Sequence, residues 1–314
     1  MARMSWLEAC QLDSSLLSLD HLFTSPPLYA QTLTGGLTNR CWKVVCPDLK
    51  AYVWRPTTPI TQAFSISRHQ EYQLLCALAP SAISPKAIHL NDRGLLVEWL
   101  EGQLMDRTLS LGQLLDTLAV VHATDIHRLP VAPFNYTARI NHYWIQLQDT
   151  LKTPSVTELY KQWGAAPELE LVPDTLCHFD LAGYNMVNTE TGLKVIDWEY
   201  AGLADPRLDL TLSLEASGSP LEEAVYQYCQ LRQIEQVDLW MSGVLAWRPR
   251  TQLLALLWYL LAYQLWGEAV YLRQAEELEQ RFCKQDHCLD GVNDKMAASN
   301  LLTPCVRDRF SSRD

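Results

Sequence analysis

His178, Asp180 and Asn185 stand in the pattern H-x-D-x-x-x-x-N within a polar stretch, CHFDLAGYNMVNTETGLKVIDWEY, from Cys177 to Tyr200. Asp197 ends the apolar run Leu193 to Ile196. Two acids and one carboxamide in this order suit phosphoryl transfer from a nucleotide. A neutral alcohol is a weak nucleophile, and Asp180 is the candidate base that orients it and takes its proton. Asn185 and Asp197 are candidate ligands for Mg2+, which prefers hard oxygen donors and keeps waters and substrate phosphates in its shell. The loop pattern by itself is only moderately specific; the strand ending in Asp197 is what makes it specific. His178 reads as a residue that orients the loop through hydrogen bonds, because no second histidine lies near it at a metal-binding spacing.

Four other segments can serve a nucleotide. Thr34 to Asn39 lies between two predicted strands, where Gly35 and Gly36 let backbone N–H groups approach phosphate and Thr38 and Asn39 add polar contacts. Arg55 ends the strand AYVWRP, from which a cation can grip the α- and β-phosphates; Glu71 on the next helix can hold it in place. Glu98, Trp99 and Leu100 form an extended linker that can offer its backbone to adenine. Beyond Asp197, Glu199 can touch a metal-bound water or the acceptor, and Asp209 can brace the catalytic loop from a neighbouring helix. Aromatic residues at helical spacing, Tyr143, Trp144, Trp240, Trp247, Trp258, Tyr259, Tyr263 and Trp266, belong mostly to core, but a minority can line an acceptor pocket for a cation.

The elements that must position these residues fall into two groups. Up to Gly102 the pattern is strand-rich: strands over 30–55, a Pro- and Thr-rich loop at 57–61, one helix opening at Ser67, and a hairpin of 87–90 with 94–100. Beyond it helices dominate, predicted over 109–122, 139–151, 221–231, 237–245, 251–266 and 267–282, interrupted by the loop-and-strand block 176–198. Segregated strands and helices predict an α+β fold with a nucleotide in the cleft between two lobes. The predicted division is a nucleotide-binding lobe over 1–101, a helical lobe with catalytic loop and acceptor site over 102–283, and a loose tail over 284–314.

Composition narrows the partners. A chain of 314 residues with 48% hydrophobic and 19% charged residues has the make-up of a globular protein, not a disordered one. A net charge of −11 without a basic run disfavours nucleic acid and suits a cationic acceptor. The N-terminus has no signal-peptide pattern, and the longest apolar run, 253–263, is too short to span a bilayer, so a cytoplasmic protein with free thiols is expected. Cys283, His287, Cys288 and Cys305 match no familiar zinc spacing.

With these residues laid out, the chain resembles the aminoglycoside phosphotransferase and choline kinase superfamily. LTGGLTNRCWKV is similar to its nucleotide loop, YVWRP to its phosphate-binding strand, HFDLAGYN to its catalytic loop and LKVIDWEYAG to its metal-binding segment. Within that superfamily, SPKAIHLNDRGLLVEWLEG, GLKVIDWEYAG and the Trp-rich end look most like the bacterial thiamine kinases. The resemblance implies a two-lobed protein-kinase-like fold, with a small antiparallel-sheet lobe and a larger helical one. It also implies ATP and Mg2+ as cofactors and transfer of the γ-phosphate to the hydroxyl of a small cationic alcohol, thiamine first. Choline or ethanolamine kinase, aminoglycoside phosphotransferase and a non-catalytic nucleotide-binding pseudokinase are the alternatives, as monomer or homodimer. D-W-E stands where protein kinases have D-F-G, and no A-P-E follows, which disfavours a protein substrate.

Overall fold

Arg55 is placed by a five-stranded antiparallel sheet in the order β1-β2-β3-β5-β4, comprising β1 (Tyr29–Thr32), β2 (Trp42–Val45), β3 (Ala51–Pro56), β4 (Ala87–Asn91) and β5 (Gly94–Glu98). The structure, a computed structural model, describes residues 3–33, 41–106 and 108–282. Gly35, Gly36, Thr38 and Asn39 lie outside the described residues, as do Cys283, His287, Cys288 and Cys305.

Alternation along β3 sends Trp54 and Arg55 to opposite faces. Trp54 pairs across strands with Trp42 and Leu96, and all three are buried beneath the N-terminal segment. That segment, α1 (Trp6–Leu12) followed by a 3-10 helix over Ser14–Leu22, accepts both indole N–H groups: Trp42 Nε1 donates to Asp13 at 2.9 Å and Trp54 Nε1 to Ser15 Oγ at 2.8 Å. Arg55 faces the other way, towards α3 (Arg68–Leu78), which packs Leu74, Leu75 and Leu78 against Leu95 and Val97 of β5. Gly94 allows β5 to come this close to β3, since a Cβ there would sit 2.5 Å from Arg55 O. The loop predicted over 57–61 contains a short helix, α2 (Pro59–Ala63), because Thr58 caps it and Pro59 suits its first position.

The second half is helical: α4 (Leu111–His122), α5 (Tyr136–Gln146), α6 (Pro154–Trp163), α7 (Pro206–Ser217), α8 (Leu221–Leu231), α9 (Val237–Trp266) and α10 (269–282). Two small sheets hold the loops between these helices. One has the order β6 (Gln103–Leu104), β8 (Met186–Thr189), β9 (Gly192–Val195), and the other pairs β7 (Thr175–Cys177) with β10 (Gly202–Ala204). Residues 178–185 therefore span β7 to β8, and residues 196–201 span β9 to β10, so both chemical loops are pinned at each end.

Two helix expectations are corrected. The helix predicted over 139–151 stops at Gln146, and α6, unmarked in the sequence reading, follows with Thr153 as its cap. The two helices predicted over 237–245 and 251–266 are one, α9, with Pro249 inside. Proline leaves Leu245 O without its helical donor. Arg250 Nη1 donates to the neighbouring Ala246 O at 2.9 Å, and burial of Leu253, Leu256, Leu257 and Leu261 on the C-terminal side keeps the helix running.

Candidate active site

Asp180 sits at the centre of the loop after β7. Tyr184 Oη donates to its Oδ1 at 2.6 Å and Asn185 Nδ2 to its Oδ2 at 3.0 Å; the same amide nitrogen donates to Asp180 O at 2.9 Å. Burial, together with the charges of Asp197 and Glu199, pushes the Asp180 carboxyl up to about 7, against the opposing Tyr184 hydrogen bond. A carboxylate poised there can take a proton near neutral pH. Since Asn185 spends its nitrogen on Asp180, its carbonyl oxygen is the atom left for a cation.

The loop is held from behind. Asp209, fully buried in α7, accepts His178 N–H at 2.9 Å and Phe179 N–H at 2.7 Å, and its Oδ2 lies 3.0 Å from His122 Nε2. His122 Nδ1 in turn meets Tyr228 Oη at 2.6 Å. His178 Nδ1 accepts Asp180 N–H at 3.3 Å, so its Nε2 must donate to Ile196 O at 3.0 Å. Burial lowers the His178 pKa, consistent with this neutral tautomer, which ties one chemical loop to the other. Asp209→Asn leaves one of two buried backbone N–H groups facing an amide nitrogen, and is expected to cost about 1–3 kcal/mol of stability. Urea unfolding monitored by tryptophan fluorescence measures it.

Phe179 and Asp197 both adopt left-handed backbone, at φ 67 and 68°. Such non-glycine residues store about 1–3 kcal/mol each and persist only where their surroundings hold them. For Asp197 the surroundings are an ionic cluster. Arg55 Nη2 donates to Asp197 and to Glu199 Oε2, the latter at 2.8 Å, and Arg55 Nε lies 2.9 Å from Glu71 Oε1. Arg68, 4% exposed, bridges Glu71 and Glu199 from the other side at 2.5 and 2.9 Å. Burial raises the Asp197 carboxyl, but Arg55 outweighs it and holds the group below the usual range. Burial and the Asp197 charge leave Glu199 raised.

The pairing of Arg55 with Glu71 is the arrangement expected from sequence, while Arg68 was missed; its place three residues before Glu71 on one helix was the available signal. Glu199 faces the two arginines. At the linker, Glu98 N–H donates to Lys86 O at 2.9 Å and Trp99 N–H to Ala51 O at 3.2 Å. Of the linker backbone, the Glu98 and Trp99 N–H groups are thus bonded to the sheet, and Leu100 N–H has no backbone partner among the described residues.

Asp180, Asn185, Asp197 and Glu199 open onto one cavity of about 620 Å3. Of the aromatic residues singled out in the sequence, Tyr143, Trp258 and Tyr259 line it; Trp240 and Trp247 are buried in the core. Phe134, Phe179, Tyr184 and Tyr200 complete its aromatic wall, and Trp258 Nε1 donates to Tyr200 Oη at 3.0 Å. Five carboxylates, from Asp180, Asp197, Glu199, Glu215 and Glu277, and two guanidiniums, from Arg139 and Arg281, line it; Asp197 and Glu199 are paired with Arg55 and Arg68, and Glu215 with Arg248. Among the described residues no helix is long and apolar enough to cross a membrane.

A model of the phosphotransferase enzyme family matches residues 30–233. The thiamine kinase of Escherichia coli O1:K1 is 25% identical over 249 residues, covering 78% of this chain and 87% of that protein. The choline kinase LicA of Streptococcus pneumoniae superimposes with a TM-score of 0.63 at 19% identity, over 84% of this chain and 97% of that one. An ethanolamine kinase of Plasmodium vivax does so with a TM-score of 0.67 at 17% identity, over 88% of each. The α+β architecture of a small antiparallel sheet and a larger helical part is thus a protein-kinase-like fold.

Proposed function

The chain belongs to the phosphotransferase enzyme family, and on that premise we propose that it is an ATP-dependent small-molecule kinase whose acceptor is the primary alcohol of thiamine. The observation that carries this reading is Asp180, a carboxylate raised to about 7 on the floor of an aromatic, acidic cavity, beside the oxygen donors of Asn185 and Asp197. The neighbour LicA has been solved in complex with AMP, which supports an adenine nucleotide as donor. The cavity falls in the range of about 300–1,000 Å3 that takes drug-sized ligands, so it accommodates a two-ring cation as well as a small quaternary amine.

The acceptor hydroxyl hydrogen-bonds to Asp180, which takes its proton as the oxygen bonds to the γ-phosphorus and the bond to ADP breaks. Tyr184 and Asn185 fix the carboxylate for that approach. Arg55, steadied by Glu71, is proposed to grip phosphate oxygens from its place beside Asp197. Gly35, Gly36, Thr38 and Asn39 are proposed to cover the phosphates, and Leu100 to meet adenine. The donor set of one carboxamide oxygen and one carboxylate fits Mg2+. When bound by Asn185 and Asp197, the ion neutralises charge developing on the phosphates.

The test is ADP release from MgATP with thiamine, choline, ethanolamine and an aminoglycoside in separate reactions. Stimulation by thiamine above the other acceptors is expected. Stimulation by choline or ethanolamine alone moves the assignment to the activity named for the two solved neighbours; no stimulation by any, with ATP bound, makes the chain a pseudokinase.

A further inference from the structure

The acceptor cavity ends against a second, smaller one of about 150 Å3. Among the described residues two line both, Tyr184 of the catalytic loop and Ala216 of α7. Ala216 contributes only a methyl group, so the Tyr184 ring, 42% exposed, is what parts the two spaces. The ring is held in place. Its Oη donates to Asp180 Oδ1 at 2.6 Å, and the next residue, Asn185, is bonded to Asp180 through Nδ2. On the other side Gly183 lies so close to the chain after β6 that a Cβ there would sit 2.8 Å from Met105 O and 2.9 Å from Asp106 Cα. The loop therefore has no room to withdraw towards β6. Beyond the ring, Asp106, Ser110, Ser217 and Ser219 line the smaller cavity. A carboxylate and three hydroxyls suit a ligand rich in amines and hydroxyls.

We infer that Tyr184 is a specificity wall: its ring confines acceptors to the larger cavity, and without it the acceptor site runs on to Asp106 and the serines and admits amino-sugar alcohols. The inference rests on the reading of the larger cavity as the acceptor site. The wall stands beside the reacting hydroxyl, because Tyr184 hydrogen-bonds to the proposed base itself. An acceptor whose hydroxyl ends a flexible chain, as in thiamine, puts its bulk on one side only. A ring hydroxyl with substituents on both sides puts bulk on the far side as well, and there the Tyr184 ring stands. Exclusion of this kind selects strongly, since one surplus methylene in a packed pocket already counts for about 10–200-fold. The hydrogen bond from Tyr184 to Asp180 acts on every acceptor alike and gives no such selection.

The experiment measures kcat/KM for thiamine and for kanamycin, whose hydroxyls sit on substituted amino-sugar rings, in the wild type, Tyr184→Phe and Tyr184→Ala. Kanamycin binding is followed by calorimetry in all three. Both variants lose the hydrogen bond to Asp180, so turnover falls for every acceptor; only Tyr184→Ala removes the ring. The kanamycin-to-thiamine ratio and the affinity for kanamycin are each expected to rise by about tenfold or more in Tyr184→Ala and to stay at the wild-type value in Tyr184→Phe. Adding Ala216→Leu to Tyr184→Ala refills the gap from α7 and should reverse the rise. No change in Tyr184→Ala overturns the inference, as does an equal rise in Tyr184→Phe, which traces the effect to the hydrogen bond. A wild type that uses kanamycin as well as thiamine overturns it even where the variant is unstable. If the wild type phosphorylates choline or ethanolamine instead, the thiamine assignment falls, and the ratio is taken against that alcohol. If it phosphorylates nothing, kanamycin binding alone decides.

Discussion

Asp180→Ala will lower kcat by about 10²–10⁴-fold, the usual contribution of a positioned general base, while the Kd for nucleotide stays near that of the wild type. The separation follows from what the side chain touches. Asp180 is bound by Tyr184 and Asn185 and opens into the acceptor cavity; it makes no ion pair with Arg55, and Arg55 keeps its contacts to Glu71, Asp197 and Glu199 in the variant. A pH profile adds a second signature. The base must be deprotonated to act, so kcat/KM falls by about tenfold for each unit below its pKa. In the free enzyme that point is about 7, raised by burial and by the Asp197 and Glu199 charges. A cation that neutralises Asp197 removes one of those causes, so the acid limb shifts lower once nucleotide and metal are saturating. The residual activity of Asp180→Ala should lack this limb. Residual turnover within about tenfold of the wild type, below the range for such a base, would remove Asp180 from the mechanism.

The sequence exposed the parts of this site that are close along the chain. Asp180, Asn185 and Asp197 fall within one short stretch, and the strand β9 between them was readable from its apolar run. Arg55 and Glu71 were readable as a strand-end cation and a helix-start acid, because each sits at a marked boundary. Other parts depend on distances that no local pattern encodes. Asp209 was readable as a brace from a neighbouring helix, but the partners behind it, His122 of α4 and Tyr228 of α8, come from helices that meet it only after packing. The cavity wall draws Phe134, Tyr200, Glu215 and Gln252 from separate elements for the same reason. Pro249 misled in a different way: a local breaker was read as a boundary, but burial on the following turns outweighed the lost backbone hydrogen bond. At the linker, sequence position could not say which backbone groups are open: pairing at the end of β5 takes up the Glu98 and Trp99 N–H groups.

Arg55→Leu is expected to lose about 3–5 kcal/mol of stability as well as nucleotide binding, because it strands charges that the fold has already desolvated. The wild-type cluster sets two guanidiniums, Arg55 and Arg68, against three carboxylates, Glu71, Asp197 and Glu199. Without Arg55, one guanidinium faces all three carboxylates, and Asp197 loses the contact that keeps its carboxyl ionised despite burial. The cost is that of unpaired buried charge rather than of a missing bond, and a compensating variant distinguishes the two. Arg55→Leu combined with Glu71→Leu removes one carboxylate along with the cation, restores the original excess of one negative charge and leaves Arg68 to serve Glu199. The double variant should therefore be more stable than Arg55→Leu alone in urea unfolding, although it has fewer polar contacts, and should remain just as poor at binding ATP. Arg55→Lys keeps the charge but not the fork that reaches Glu71 and Asp197 at once, and should fall between the wild type and Arg55→Leu in both measurements. If the double variant is instead less stable than Arg55→Leu, the cluster is held by its individual contacts, and charge balance is not what keeps Asp197 in its left-handed turn facing the cavity.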